Sequence, residues 1–291
     1  MHTEASLTAD LRALGVPTGP GAVLIVHSGF RSLGKVEGGP AAVARALVAA
    51  VAPGGTLIAP TFTNDLVDPY TWPVPPPAEE RRRIREAMEL FDPRTSPPHK
   101  MGAIATALWR YPGARRSLHP VTSWVAIGPR AEELTADHPL NDPEGIDGPV
   151  GRAYRADARV LLLGVDHDAD TTVHLAESLM EMPHLRVLPD LYPARAADGS
   201  REWRAVAKTT KCSDGFVKLG PVLERSNVIH RGRVGQAECQ LLRSRDIVRV
   251  VCALLAGEPA ALLCDDPGCV HCPASRAALA GWRAPEVELL P

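Results

Sequence analysis

The chain has 291 residues, 45% of them hydrophobic and 23% charged, with a formal net charge of −2. That size supports one large globular domain or two modest ones, and the near-neutral charge excludes a basic field for nucleic acid or an anionic membrane. No apolar run approaches the roughly 20 residues that span a bilayer, and Met1 to Leu14 lacks the pattern of a signal peptide, so the cytoplasm is the expected compartment.

Leu7, Leu11 and Leu14 share one helical face, which predicts a short helix from Ser6 to Leu14. Ala22 to Val26 reads as a buried strand. It opens into His27-Ser28-Gly29-Phe30-Arg31-Ser32-Leu33-Gly34, rich in small and hydroxyl residues. Backbone N–H groups and serine hydroxyls make this loop a candidate anion or cofactor cradle. It is neither a P-loop nor a G-x-G-x-x-G fingerprint, and a plain strand–helix connection is the competing reading. Pro40 starts a helix over Ala41 to Val51, Pro53-Gly54-Gly55 ends it, and Thr56 to Pro60 is the next strand. A strand–helix–strand unit of this kind predicts a parallel pair.

Residues 65–91 read as an insertion, proline-rich at Pro73 to Pro77 and then a charged helix from Glu79 to Leu90. Long excursions of this kind serve as lids or substrate walls. The stiff run Phe91 to Gly102 leads into a helix near Met101-Gly102, whose free N–H groups carry the positive end of a dipole. Arg115 and Arg116 are candidate phosphate contacts, with ordinary surface arginines as the alternative. Val121 to Ile127 is a further strand.

Val160 to Leu163 is an apolar run without polar alternation, a strand covered on both faces. After Gly164 and the polar loop Asp166 to Asp170, either Thr171 or Thr172 is placed to cap a helix carrying His174 and Glu177. Three residues apart, this histidine and carboxylate share a helical face. Open α/β sheets bind ligands beyond the carboxyl ends of their strands, so the pair is a candidate base and its orienting partner. The competing reading is a capped helix with solvated polar residues.

Further on, strands are predicted around Arg186-Val187-Leu188 and Trp203 to Val206, and helices over Phe216 to Asn227 and Asp246 to Leu255. All six cysteines lie in the last third. Cys269 and Cys272 have the spacing of a zinc knuckle, Cys264 is close by, and Cys212 or His271 is available as a fourth ligand. The usual second knuckle is missing, and reduced structural thiols are the reading preferred from sequence. No repeat or domain boundary is visible, so residues 1–291 are expected to form one domain with a lid insertion at 65–91 and a Cys-rich tail at 264–272.

Several of these segments together resemble the aminoglycoside 3-N-acetyltransferase family. They are His27-Ser28 through Gly34 with Val36 to Gly39, Pro53 to Leu57 with Pro60-Thr61-Phe62, Phe91 to Gly102, Arg116-Ser117 with His119-Pro120, and Leu162 to Val165 with Thr171 to Glu177. The resemblance implies a three-layer α/β sandwich around a central mixed, mostly parallel sheet. It further implies acetyl-CoA in a cleft and direct acetyl transfer to an amine. Ser28, Arg31, Ser32, Leu33, Gly34, Val36, Thr61, Met101, Gly102, Arg116 and Ser117 would hold the coenzyme. His174, Glu177 and Thr171 would form the catalytic set. Asp65, Asp92, Asp168 and Asp170 are available to a polycationic acceptor. Gly29-Phe30-Arg31 and Asp170 depart from the family's usual residues, and the cysteine tail is foreign to it. These departures keep a non-aminoglycoside amine, such as a natural-product intermediate, as the alternative acceptor. A non-catalytic CoA-binding relative and a zinc hydrolase using His167 and His174 are weaker readings.

Overall fold

The computed structural model describes residues 1–186, 189–207 and 211–291. Among the described residues, nineteen helices and strands follow the chain: α1 (Glu4–Ala13), β1 (Val23–Ser28), α2 (Gly39–Val51), β2 (Thr56–Pro60), α3 (Ala78–Ala87), α4 (Gly102–Trp109), β3 (Arg115–Arg116), β4 (Trp124–Ile127), α5 (Ala131–Thr135), α6 (Pro149–Arg155), β5 (Arg159–Leu163), α7 (Thr172–Leu179), β6 (Asp190–Arg195), β7 (Arg201–Val206), α8 (Leu219–Arg225), β8 (His230–Val234), β9 (Ala237–Arg243), α9 (Ser244–Gly257) and α10 (Cys272–Ala278).

Seven strands form one sheet in the order β3-β4-β2-β1-β5-β9-β8. The central strands show why the sheet is the middle of three layers. In β1, Leu24 and Val26 pack with α1, α2 and α4, while Val23 and Ile25 pack with α6, α7 and α9. In β5, Leu161 and Leu163 face the first layer, and Val160 and Leu162 the second. Alternation of side chains along a strand thus feeds two apolar cores, which is why these runs lack polar residues.

The sheet is mixed. Parallel pairing is confined to its centre, where β1 lies between β2 and β5 with Ile25 opposite Ile58 on one side and Val160 on the other. All other pairings in this sheet are antiparallel. The expectation of a mostly parallel sheet is corrected on this point. The edge pairs β3–β4 and β8–β9 are short returns, such as the Gly235-Gln236 turn, too short for the crossover that a parallel pair needs, while β4 and β9 come back antiparallel to β2 and β5 over long connections.

Residues 65–91 pack on the separate hairpin β6–β7 through Val67, Val121, Tyr192 and Val206, with Trp72 alongside. The predicted charged helix ends at Ala87, and α3 buries none of its residues. Arg85 holds it by an ion pair to Asp68 (3.1 Å) and by lying over Tyr70 and Trp203. The strand expected at Arg186-Val187-Leu188 is not seen at Arg186, which closes a 3-10 turn, and its other two residues lie outside the described set. The helix expected from Phe216 begins instead as a 3-10 turn, Asp214–Lys218, before α8.

Candidate functional site

β1, β2 and β5 run parallel and end at Ser28, Pro60 and Leu163. The chain after β1 enters α2 on one face of the sheet, and the chain after β5 enters α7 on the other. That divergence opens a crevice, the usual ligand position in such sheets. A cleft of about 400 Å³ lies there, lined among others by Ser28, Phe62, Met101, Gly102, Asp168, Thr171 and His174.

The two loops meeting below the cleft are interlocked. Gly29 N–H donates to the Leu163 carbonyl, and a Cβ on Gly29 would lie 2.9 Å from the Gly164 carbonyl oxygen. Gly164 has φ +64°, and a Cβ there would overlap the Ser32 hydroxyl. Ser32 itself donates to the Gly29 carbonyl at 2.6 Å. Only glycine permits this approach of backbone to backbone.

His174 presents its ring at the cleft wall, edge-on to Phe216 at a centroid separation of 4.9 Å. Its Nδ1 is 2.6 Å from Glu177 Oε2, and His184 Nε2 is 3.2 Å from the other oxygen, Oε1. Burial raises the Glu177 carboxyl, but the hydrogen bonds from His174 and His184 outweigh it and hold the group well below the usual carboxylate range. A carboxylate accepting at Nδ1 selects the tautomer with its proton there. Nε2 is then the basic nitrogen of the ring.

The cap of α7 differs from expectation. Thr171 occupies the N-cap position but its side chain makes no capping bond; Asp170 Oδ1 accepts from the Thr172 N–H at 2.9 Å. Asp170 is buried between His27 (Nε2, 3.8 Å) and His167 (Nδ1, 3.9 Å). Burial raises its carboxyl, while the facing imidazoles of His167 and His27 bring it below the usual range. Burial also lowers His27, whose ring stands edge-on to Trp124. Asp170 is therefore part of the floor, and Asp168 is the exposed carboxylate of the cleft.

The structure separates the other predicted site residues. Ser28, Met101 and Gly102 line the cleft. Gly102 adopts φ +84° where α4 begins. Arg31, Ser32, Gly34 and Val36 lie along the same loop outside the cleft, and Leu33 is fully buried in the core. Thr61 is buried and donates to the Ser123 carbonyl. Arg116 spends its guanidinium on the Thr61 carbonyl (2.6 Å), the Ser96 carbonyl (2.5 Å) and Ser123 Oγ (2.9 Å), stacked near Phe91 and Trp109. Burial lowers it to about 10, so it remains a cation. Ser117 is buried against His138 and the Trp124 N–H. These three residues brace the site from behind. Asp65 lines a second cavity with Thr63 and Met88, and Asp92 Oδ1 accepts the Arg94 N–H.

Sequence reasoning missed His27, Phe62, Lys100, Lys211 and Ser213, all of which reach the cleft. His27, next to last in β1, and Phe62, just past β2, sit at the strand ends where such clefts form. Nothing in the local sequence signalled Lys211, whose Nζ is 2.7 Å from the buried Glu144. The tail cysteines Cys264, Cys269 and Cys272 do converge, and Cys212 joins them, the four sulfurs lying within 4.8 Å of one another.

A histidine hydrogen-bonded to a buried carboxylate stands at the carboxyl edge of a parallel sheet centre and lines a cleft of an α/β protein. Residues 25–256 match the profile of the aminoglycoside 3-N-acetyltransferase family, and the chain belongs to that family. It is 36% identical to aminoglycoside N(3)-acetyltransferase IV from Salmonella sp over 262 residues, 88% of each chain. The solved structure of a histidine-to-alanine mutant of AAC(3)-IVa in complex with a gentamicin superposes with a TM-score of 0.79 at 35% identity, covering 95% of this chain and 97% of that one. That of AAC-IIIb with CoASH gives 0.75 at 30% identity, covering 88% and 96%.

Proposed function

We propose that this chain transfers acetyl from acetyl-CoA to an amine of an aminoglycoside, at the 3-amino position. The observation that carries this reading is the His174–Glu177 pair, with His174 lining the cleft. Its relatives named for gentamicin and CoA complexes support the two substrates. An aminoglycoside amine is largely protonated at neutral pH and attacks only once a proton is lost. His174 Nε2 takes that proton, and Glu177 stabilises the resulting imidazolium. The amine nitrogen bonds to the thioester carbon and its oxygen becomes negative. Backbone N–H groups where α4 begins, at Met101-Gly102, are the donors closest to that charge. The C–S bond then breaks, the CoA thiolate receives the proton held by His174, and the acylated nitrogen releases its second proton to solvent to give the neutral amide. Thr171 supports this set from the wall beside His174.

The coenzyme enters along Ser28 and the start of α4, with Arg31 further out on the same loop for its phosphates. Residues 65–91, which begin beside Asn64 at the cleft rim, act as the acceptor-side wall. A cytoplasmic location follows from the need for acetyl-CoA. One observation favours the alternative acceptor. Among the described residues, Lys100 and Lys211 line the cleft against a single exposed carboxylate, Asp168, which is a weak field for a polycation. Acetyl-CoA with a panel of aminoglycosides and simple amines, followed by mass spectrometry of the products, tests both. An acetylated aminoglycoside is the expected result. Product only from other amines keeps the chemistry and changes the acceptor, and no acetylated product from any amine rejects the reading.

A further inference from the structure

Cys212 stands between the end of the β6–β7 hairpin and the Asp214–Lys218 turn, 52 residues before Cys264. Cys264 and Cys269 follow α9, and Cys272 opens α10. No short-range pattern unites them, yet every pair of their sulfurs lies within 4.8 Å. Buried thiols alone need no such arrangement, because a thiol packs as a small apolar group in any direction. Cys212 and Cys269 are moreover only half-buried. Two disulfides would require two close pairs, whereas here all six separations are short and all six cysteines of the chain are free. Four thiolates about 2.3 Å from one zinc ion sit roughly 3.8 Å apart, which matches.

The backbone is arranged for sulfur as an acceptor. The Cys272 N–H donates to Cys269 Sγ at 3.4 Å, and the Cys264 N–H donates to Cys272 Sγ at 3.3 Å. Such bonds favour thiolate over thiol. The two segments are also held at the required distance. A Cβ on Gly215 would lie 2.2 Å from the Leu262 carbonyl oxygen, so the chains touch there backbone to backbone. Lys218 donates to the Leu263 carbonyl at 2.8 Å, and Arg276 to the Cys264 carbonyl at 2.6 Å. Both cations also share the Asp265 carboxylate, at 2.7 Å from Lys218 and 3.5 Å from Arg276, which leaves one net positive charge beside the four sulfurs.

We infer that Cys212, Cys264, Cys269 and Cys272 bind one structural zinc ion, which clamps the wall segment 211–213 of the cleft to the C-terminal tail. Lys211 and Ser213, on either side of Cys212, both line the cleft. The ion has no open coordination position and takes no part in acyl transfer. It fixes the wall that faces the acceptor.

The chain is purified without chelator and its metals are counted by mass spectrometry. About one zinc per chain is expected. The double variant Cys269→Ser/Cys272→Ser should lose it, while His271→Ala keeps it, which separates the neighbouring imidazole from the ligand set. Should the cysteine variant fail to fold, cobalt substitution of the unaltered chain replaces it: sulfur-to-cobalt charge-transfer bands and intense tetrahedral bands are expected. Absence of metal after zinc reconstitution, iron in place of zinc, or an intact mass short by two hydrogens per disulfide would overturn the assignment. The metal count does not depend on the acetyl-transfer reading. Where that reading also holds, zinc removal should raise the acceptor KM about 10-fold with little change for acetyl-CoA, the scale expected of a wall displaced by a fraction of an ångström. Equal changes in both would sink the positioning role.

Discussion

At the scale of single residues, the proposed chemistry rests on one hydrogen bond of 2.6 Å between His174 and Glu177. His174→Ala should lower kcat by about 10²–10⁴-fold, the usual contribution of a positioned base. Near-normal turnover in that variant would reject the assignment. Glu177→Gln keeps the shape but removes the charge that steadies the imidazolium. A hydrogen bond to a charged group contributes about 1.5–3 kcal/mol, so turnover should fall by about 10- to 10²-fold. The His184→Ala variant is a useful companion, since it removes only the second support of the same carboxylate. The dyad was readable in the sequence because both residues fall within one helical turn. His27 was not, because its role depends on Asp170 and Trp124, which come from other elements.

At the scale of elements, Arg116 ties together three pieces of chain that share no secondary structure. Its guanidinium joins the residue after β2, the stiff segment before α4, and the approach to β4. Sequence pattern offered it as a phosphate contact, since an arginine next to another arginine carries no sign of what will surround it. The structure gives its donors to the Thr61 and Ser96 carbonyls and to Ser123 Oγ. Arg116→Ala should therefore destabilise the fold by about 3 kcal/mol, the cost of leaving buried acceptors unpaired. The midpoint of urea unfolding measures that loss. A variant of unchanged stability but with a much higher KM for acetyl-CoA would return Arg116 to the coenzyme site. The glycines at 29 and 164 work in the same way, since their freedom from a Cβ lets the loops after β1 and β5 interlock.

At the scale of the whole molecule, buried imidazoles set the response to acid. Burial, reinforced by the neighbouring His138, lowers His119 to about 3, and burial lowers His138 to about 4. Both lie below the unfolded value near 6.5. Between the folded and unfolded values the unfolded chain binds more protons, so stability rises with pH across that window. The contribution is complete above about pH 6.5 and is lost as the pH falls toward 4 and then 3. Glu177, held below its ordinary range, adds loss of the same sign below about pH 4.5. Urea midpoints at about pH 7.5 and 5 should differ clearly, and His138→Gln should flatten the slope. Equal midpoints would mean that these imidazoles are not neutral and buried in the folded chain. His138 connects to the cleft through Ser117 and through Glu144 and its partner Lys211, so acid loosening should begin beside the acceptor wall.

The sequence by itself determined the parts whose information is local. Unbroken apolar runs marked β1, β2 and β5. Helical spacing brought His174 and Glu177 onto one face, and the string of motifs identified the family. Only the tertiary structure decided what depends on distant residues. The antiparallel flanks of the sheet come from β4 and β9, which return beside β2 and β5 from distant parts of the chain. The protein partners of Arg116 and Ser117 come from distant segments that close over them. Cys212 met the tail cysteines because two backbones, at Gly215 and Leu262, approach within reach of each other. Periodicity reports which face a residue occupies. It does not report which residue, fifty or more positions away, will occupy the space opposite.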